Sequence, residues 1–347
     1  MTRTLLVDGN SLLSTGFHGI KNMYNGTDHI GGLYHFLNSL RKHIDSYLIT
    51  KVVVFWDGKE NTHPRLKLYP DYKLNRRLKN KSEDDEQSYG RQKLRTQEYL
   101  EELYIRQATF DKCEADDCLG YYCEKSKDEE IIILTSDRDL LQLISSKVSL
   151  HIISLSKLFK YGDKVPLNGV NIPSSNVRLV KTICGDSSDN IYGIKMVGIK
   201  SLIKIKPEIL EEKVTLKEVI DTINLKEKPT QKEKNIIDGI TKKQTQPTTK
   251  ETQHTLDINY IIIGVGEQFL TQEAINGIKE LSKEAIDPEG RHWKNALGLM
   301  MSDGLLNILP RKDDSWVDFV RPFLRLTRIE KDFYKNKKNK KNETNNR

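Results

Sequence analysis

No stretch of this chain approaches the roughly 18 consecutive apolar residues that a membrane-spanning helix requires, so the sequence excludes a membrane span. Cysteine is scarce. Cys113, Cys118, Cys123 and Cys184 form no CxxC pair, and reduced thiols that mostly fill a core in a cytoplasmic protein are expected. The N-terminus runs straight into a strand pattern, and no signal peptide is expected. Internal repeats are absent. What remains is a soluble chain of 347 residues, 37% hydrophobic and 30% charged, long enough to bury one large core or two modest ones.

The net charge of +7 is uneven. Residues 331–347 hold seven Lys or Arg against Asp332 and Glu343, so that stretch supplies +5 and the rest of the chain +2. A basic balance permits nucleic-acid binding without proving it.

Short apolar runs at 4–7, 52–56, 131–135 and 150–154 predict strands buried on both faces. Between the first two, Leu33, Phe36, Leu37, Leu40, Ile44 and Leu48 recur at the spacing of one helix face. A second helical pattern covers about 91–105, and shorter ones follow at EADD and at 176–184. Strands alternating with helices predict a parallel α/β sheet, whose functional crevice lies at the carboxyl ends of its strands. From 226 to 255 the composition turns to Lys, Gln, Thr and Pro, and a flexible insertion is expected there. Order resumes at 256.

The acids are the informative feature. Asp8 follows the first strand and Asp57 the second; Glu114, Asp116 and Asp117 stand in EADD. Asp137 and Asp139 stand in TSDRD, and Asp186 and Asp189 in GDSSDN. Carboxylates drawn from distant segments, with no Cys or His ligands beside them, suit hard divalent cations such as Mg²⁺. Two such ions about 4 Å apart are a standard device for cutting phosphodiesters. Each acid alone has a plainer explanation: a turn aspartate at Asp8 or Asp57, a helix cap at Asp137, a favourable dipole contact for EADD. Their joint order does not, because so many gathered carboxylates repel one another without a cation. On the EADD helix wheel, Glu114 and Asp117 lie about 60° apart on one flank and Asp116 falls on the other. Periodicity alone therefore does not bring all three to one ion.

That order and spelling resemble the 5′-nuclease superfamily, over roughly residues 3–205. The superfamily includes the 5′→3′ exonuclease domain of bacterial DNA polymerase I, flap endonucleases and phage ribonucleases H, and the phage members look closest. The resemblance implies a PIN-like α/β core over 1–175 with a helical arch at 61–95. A helix–three-turn–helix module follows at 176–225, then the insertion at 226–255, a helical region at 256–330 and a disordered basic tail at 331–347. It implies a monomer, in the host cytoplasm if phage-encoded, that removes RNA primers and 5′ flaps during replication. By matching motifs, Asp8, Asp57, Glu114 and Asp116 would serve one Mg²⁺ (or Mn²⁺), and Asp117, Asp137, Asp139, Asp186 and Asp189 the second. Two alternatives are a PIN-class ribonuclease and a catalytically inactive protein that binds branched DNA.

Within 61–95, YPDYKLNRR interleaves Tyr69 and Tyr72 with Lys67, Lys73, Arg76 and Arg77, a composition that suits stacking on bases and gripping the phosphates of a single strand. A solvated charged loop is the plainer alternative. The resemblance assigns Tyr72, Lys73 and Arg76 to an arch disordered without DNA, with Lys73 and Arg76 at the scissile phosphate. In GDSSDNIYGIKMVGIKSLIK it implies duplex-phosphate contacts from Gly198, Lys195, Lys200 and Lys204 around a K⁺ ion. Tyr192 and Met196 depart from the family's proline and glycine there. The implied partners are flap, nicked or forked DNA and RNA–DNA hybrid, with single-stranded-DNA-binding protein or a sliding clamp. Gln97, Leu100, Leu103 and Tyr104 loosely fit a clamp-binding spacing.

Overall fold

The computed structural model describes residues 2–78, 82–241, 244–245, 253–254, 256–309 and 315–345. Its main sheet has six strands: β1 (Thr2–Asp8), β2 (Lys51–Asp57), β3 (Arg106–Phe110), β4 (Glu129–Thr135), β5 (Val148–Ile152) and β6 (Lys157–Phe159). Their order is β3-β2-β1-β4-β5-β6. The first five run parallel and β6 pairs antiparallel with β5. Strand alternation divides the apolar runs between two cores. Leu6, Val53, Phe55, Ile131 and Ile133 face one side; Leu5, Val7, Val52, Val54 and Trp56 face the other. Burying each such side chain contributes about 1.5–3 kcal/mol, which explains why these runs form central strands.

Helices α1 (Gly9–Gly19) and α2 (Gly31–Ser46) follow β1. Leu33, Phe36, Leu37, Leu40 and Ile44 of α2 are all buried in the second core, as their spacing predicts. Beyond β2 come α3 (His63–Leu68), α4 (Leu74–Arg77) and α5 (Glu83–Glu102). Ser82 caps α5 by accepting from Asp85 N–H, and four acids fill its first turn, where the helix dipole favours them. Helix α6 (Ala115–Lys125) precedes β4, and α7 (Val177–Cys184) and α8 (Ile199–Ile205) follow the sheet.

Four expectations are corrected. Strand β3 was missed because RQATF has no apolar run: it is an edge strand whose Arg106 is buried against Glu330. The 226–255 segment contains a helix, Gln231–Thr241, anchored by fully buried Ile236; most of 242–255 lies outside the described residues. The 61–95 segment holds helices α3, α4 and the start of α5, joined by turns, with 79–81 outside the described residues. The basic tail continues helix Ser315–Asn345, which Phe319, Phe323 and Leu326 pin to the second core. Lysine, the commonest residue of that stretch, extends an already nucleated helix at little cost.

Candidate active site

Asp8 and Asp57 end adjacent parallel strands, so backbone register alone places both at the carboxyl edge of the sheet. Each is followed by glycine for reasons of space. A Cβ on Gly9 would lie 2.6 Å from the Trp56 ring, and one on Gly58 would lie 1.9 Å from the Phe110 carbonyl oxygen. Asp8 caps α1 by accepting from Ser11 N–H at 2.9 Å, and Thr135 Oγ1 donates to it at 3.2 Å. Asp57 accepts from Asn10 Nδ2 at 2.8 Å and from Ala115 N–H at 2.9 Å, which ties β2 to the start of α6.

Across that edge opens a cleft of about 990 Å³ whose lining includes Asp8, Asp57, Glu114, Asp116 and Asp137, with Lys73 and Arg76 facing them. Beside it is a second cavity of about 730 Å³, lined by Asp137, Asp139, Lys181, Asp186 and Arg76. Asp137 and Arg76 border both. Oxygens of Asp139, Asp186 and Asp189 lie within 4.8 Å of one another, a grouping that could hold a metal ion. Eight of the nine predicted acids thus gather in one continuous region.

Asp117 is the exception, and its placement is a correction. It is fully buried, with both oxygens engaged by Arg65 at 2.6 and 2.9 Å and a further bond from Gly266 N–H at 3.1 Å. Arg65 also reaches Glu114 at 2.6 Å and stacks 4.0 Å from the Phe269 ring centroid. Glu114, the extended residue just before α6, and Asp117 within the helix share Arg65 as an internal cation. Asp116, on the other flank, feels the charges of Asp137 and Asp8.

Tyr72 is corrected as well. It is 3% exposed and donates to Glu114 Oε2 at 2.9 Å, and with Tyr69 it packs against Ile191, Ile262 and Ile263. These rings hold the segment to the core and are not presented to a base. Lys73 pairs with Glu114, its backbone N–H bonds Asp189 O at 2.9 Å, and Arg76 lies 2.8 Å from Asp189. Arg77 bonds the Pro70 carbonyl at 2.7 Å, outside the cleft. Leu100, Leu103 and Tyr104 are buried, so the clamp-binding spacing is a core face. Lys195, Gly198, Lys200 and Lys204 are exposed around α8, apart from the carboxylates.

Burial first, then the charge of Asp57, pushes the Asp8 carboxyl up to about 7. Asp116 and Asp139 are raised by burial and by Asp137. Burial opposes the charge on Asp186 too, but Lys181 overcomes it and holds that carboxyl at about 2. Acids raised in the folded state stabilise it below their unfolded pKa and lose that contribution as pH rises through the folded value. Asp8 therefore stabilises fully below about pH 4 and stops doing so by about pH 7, while Asp186 contributes above pH 4 and loses effect as pH falls towards 2. The expected result is a metal-free melting temperature that drops as pH rises from about 4 to about 7, with Mg²⁺ restoring it at the upper end. A flat profile with no response to Mg²⁺ would argue that these acids are not mutually repelling.

Residues 3–165 match the family profile described as 5′-3′ exonuclease, N-terminal resolvase-like domain. The chain is 33% identical over 215 residues to a 5′-3′ exonuclease of Halalkalibacterium halodurans, covering 58% of this chain and 68% of that protein. It is 30% identical to a 5′-3′ exonuclease of Bacillus subtilis, covering 64% and 74%. The chain belongs to the 5′-3′ exonuclease family. It is a hydrolase of that family. Among solved structures it resembles phage T5 5′-exonuclease with bound zinc, at a TM-score of 0.61, 20% identity and coverage of 81% and 99%. That likeness establishes the fold. Among the described residues no helix is long and apolar enough to cross a membrane.

Several residues of this candidate site carry no mark in the sequence. Asn10 and Thr135 orient Asp57 and Asp8, and Arg65 and Lys181 neutralise acids from within. Only Lys181 left a signal. It is a lysine among the buried positions of an amphipathic helix.

Proposed function

We propose that the chain is a divalent-metal-dependent, structure-specific 5′→3′ exonuclease and flap endonuclease that removes RNA primers and 5′ flaps during DNA replication. Its substrates on this reading are 5′-flap, nicked or forked duplex DNA and RNA–DNA hybrid. The observation that carries it is the convergence of eight carboxylates around two adjoining cavities at the carboxyl end of the sheet, faced by Lys73 and Arg76. The donors fit hard cations: all are oxygens, and Asp8, Asp116 and Asp139 resist ionisation because burial and neighbouring acids oppose it.

Asp8, Asp57, Glu114 and Asp116 would hold one ion, and Asp137, Asp139, Asp186 and Asp189 a second. Asp117 we assign instead to holding Arg65. When bound, Mg²⁺, or Mn²⁺ in its place, supplies Lewis-acid charge at the phosphate. Lys73 and Arg76 place positive charge over the cleft, where a scissile phosphate gains charge in the transition state. The 61–95 segment we read as the arch and 176–225 as the duplex-binding module, with Lys195, Gly198, Lys200 and Lys204 on backbone phosphates. Such contacts position the duplex and do not read its sequence. We extend the proposal to K⁺ at that turn. Met196, at φ 67, takes the left-handed conformation a glycine would adopt, at a cost of about 1–2 kcal/mol.

The test is cleavage of end-labelled flap, nicked and RNA-primed substrates with and without Mg²⁺. Release of 5′ fragments only with the metal is expected. Cleavage confined to single-stranded RNA would shift the assignment to a PIN-class ribonuclease, and no cleavage in Mg²⁺ or Mn²⁺ would indicate a binding protein.

A further inference from the structure

Lys181 lies one helical turn from the end of α7, at a position that the helix shares with buried Val177, Val180 and Ile183. It is 7% exposed. Its ammonium is shared between the carboxylates of Asp139 and Asp186, the latter at 2.7 Å. Those two acids, with Asp189, make up the grouping that could hold a metal ion. A lysine is costly to bury unless its charge is matched, and here its partners are the groups that a divalent ion would need.

The local charge balance sharpens the point. Asp137, Asp139, Asp186 and Asp189 bring four carboxylates. Lys181 and Arg76, the latter 2.8 Å from Asp189, return two positive charges. Arg76 is more than half exposed and can leave with solvent or substrate, whereas Lys181 is enclosed.

We propose that Lys181 is a built-in counter-cation that sets the metal affinity of the second carboxylate group. It keeps Asp139 and Asp186 together when no ion is bound, and it weakens uptake because an incoming ion must displace its ammonium or tolerate its charge. An ammonium on a flexible four-carbon stem suits that role, since it can withdraw without breaking a fixed bidentate geometry. The inference rests on the metal assignment proposed above.

The experiment is a Mn²⁺ titration of the full chain without DNA, followed by the electron paramagnetic resonance of free Mn²⁺ and by the Mn²⁺-induced shift in melting temperature. Lys181→Met is expected to reach half-saturation of the weaker site at about tenfold lower Mn²⁺ than the natural chain. It is also expected to show the larger thermal shift, because its metal-free acids repel one another unrelieved. Lys181→Arg keeps the charge and should bind no tighter than the natural chain. Should the methionine variant fold poorly without metal, Lys181→Gln retains a donor while removing the charge, and the same tightening is expected. Unchanged or weaker binding in the neutral variants, alongside Mn²⁺ uptake and cleavage by the natural chain, overturns the role of Lys181 alone. No Mn²⁺ uptake by the natural chain overturns the metal assignment, and this inference with it.

Discussion

Replacing Asp137 by asparagine is expected to lower phosphodiester cleavage about a thousandfold, equivalent to roughly 4 kcal/mol of lost transition-state stabilisation, while DNA affinity stays within about threefold. Asp137 borders both cavities. Its charge acts on Asp8 and Asp116 on one side and on Asp139 and Asp189 on the other. Among the described residues, no other acid lines both cavities. Asparagine has nearly the same shape and retains an oxygen to accept the Asp139 N–H that Asp137 Oδ1 now accepts at 2.8 Å. The loop after β4 should therefore keep its conformation, so that the change isolates the charge. Single-turnover cleavage of a flap substrate, measured beside equilibrium binding of the same DNA in Ca²⁺, checks it. Near-normal turnover would remove Asp137 from the metal-holding set.

Lys73→Ala is expected to reduce the rate of the bound complex by about 10² to 10³ with little change in duplex affinity. Lys73 has φ 53, a left-handed conformation that alanine tolerates no better and no worse than lysine, so the backbone cost largely cancels. Glu114 would keep Arg65 and the Tyr72 hydroxyl as partners after the change, so its carboxylate is not left unpaired. What disappears is one positive charge facing the cleft, together with its Glu114 contact. Comparing the single-turnover rate with the dissociation constant separates the two effects. Equal losses in rate and affinity would make Lys73 a general DNA-binding residue instead.

Much of this architecture was legible because its signals are local. The runs LLV, VVVFW and IIIL can satisfy both faces of a central strand only by burial, and β1, β2 and β4 form where those runs stand. Asp8 and Asp57 reach the carboxyl edge because each ends its strand. Misreadings arose where a residue's environment is built by distant chain. Tyr72 looks like a stacking aromatic among cations until Ile262 and Ile263, far along the sequence, cover it. Leu100, Leu103 and Tyr104 resemble a docking motif until the second core and the C-terminal segment enclose them.

The type and order of the acids were determined by the sequence alone, and with them the hard-cation chemistry and the strand–helix alternation that carries it. The EADD wheel even separated Asp116 from Glu114 and Asp117. That Asp117 alone turns from the cleft was decided only by tertiary structure, because Arg65 enters from α3 and draws it inward. Lys181 obeyed the same logic, its partners lying 42 and 5 residues away. Helical periodicity fixes angles about one axis, but the charge that a side chain meets depends on long-range packing, which no single helix encodes.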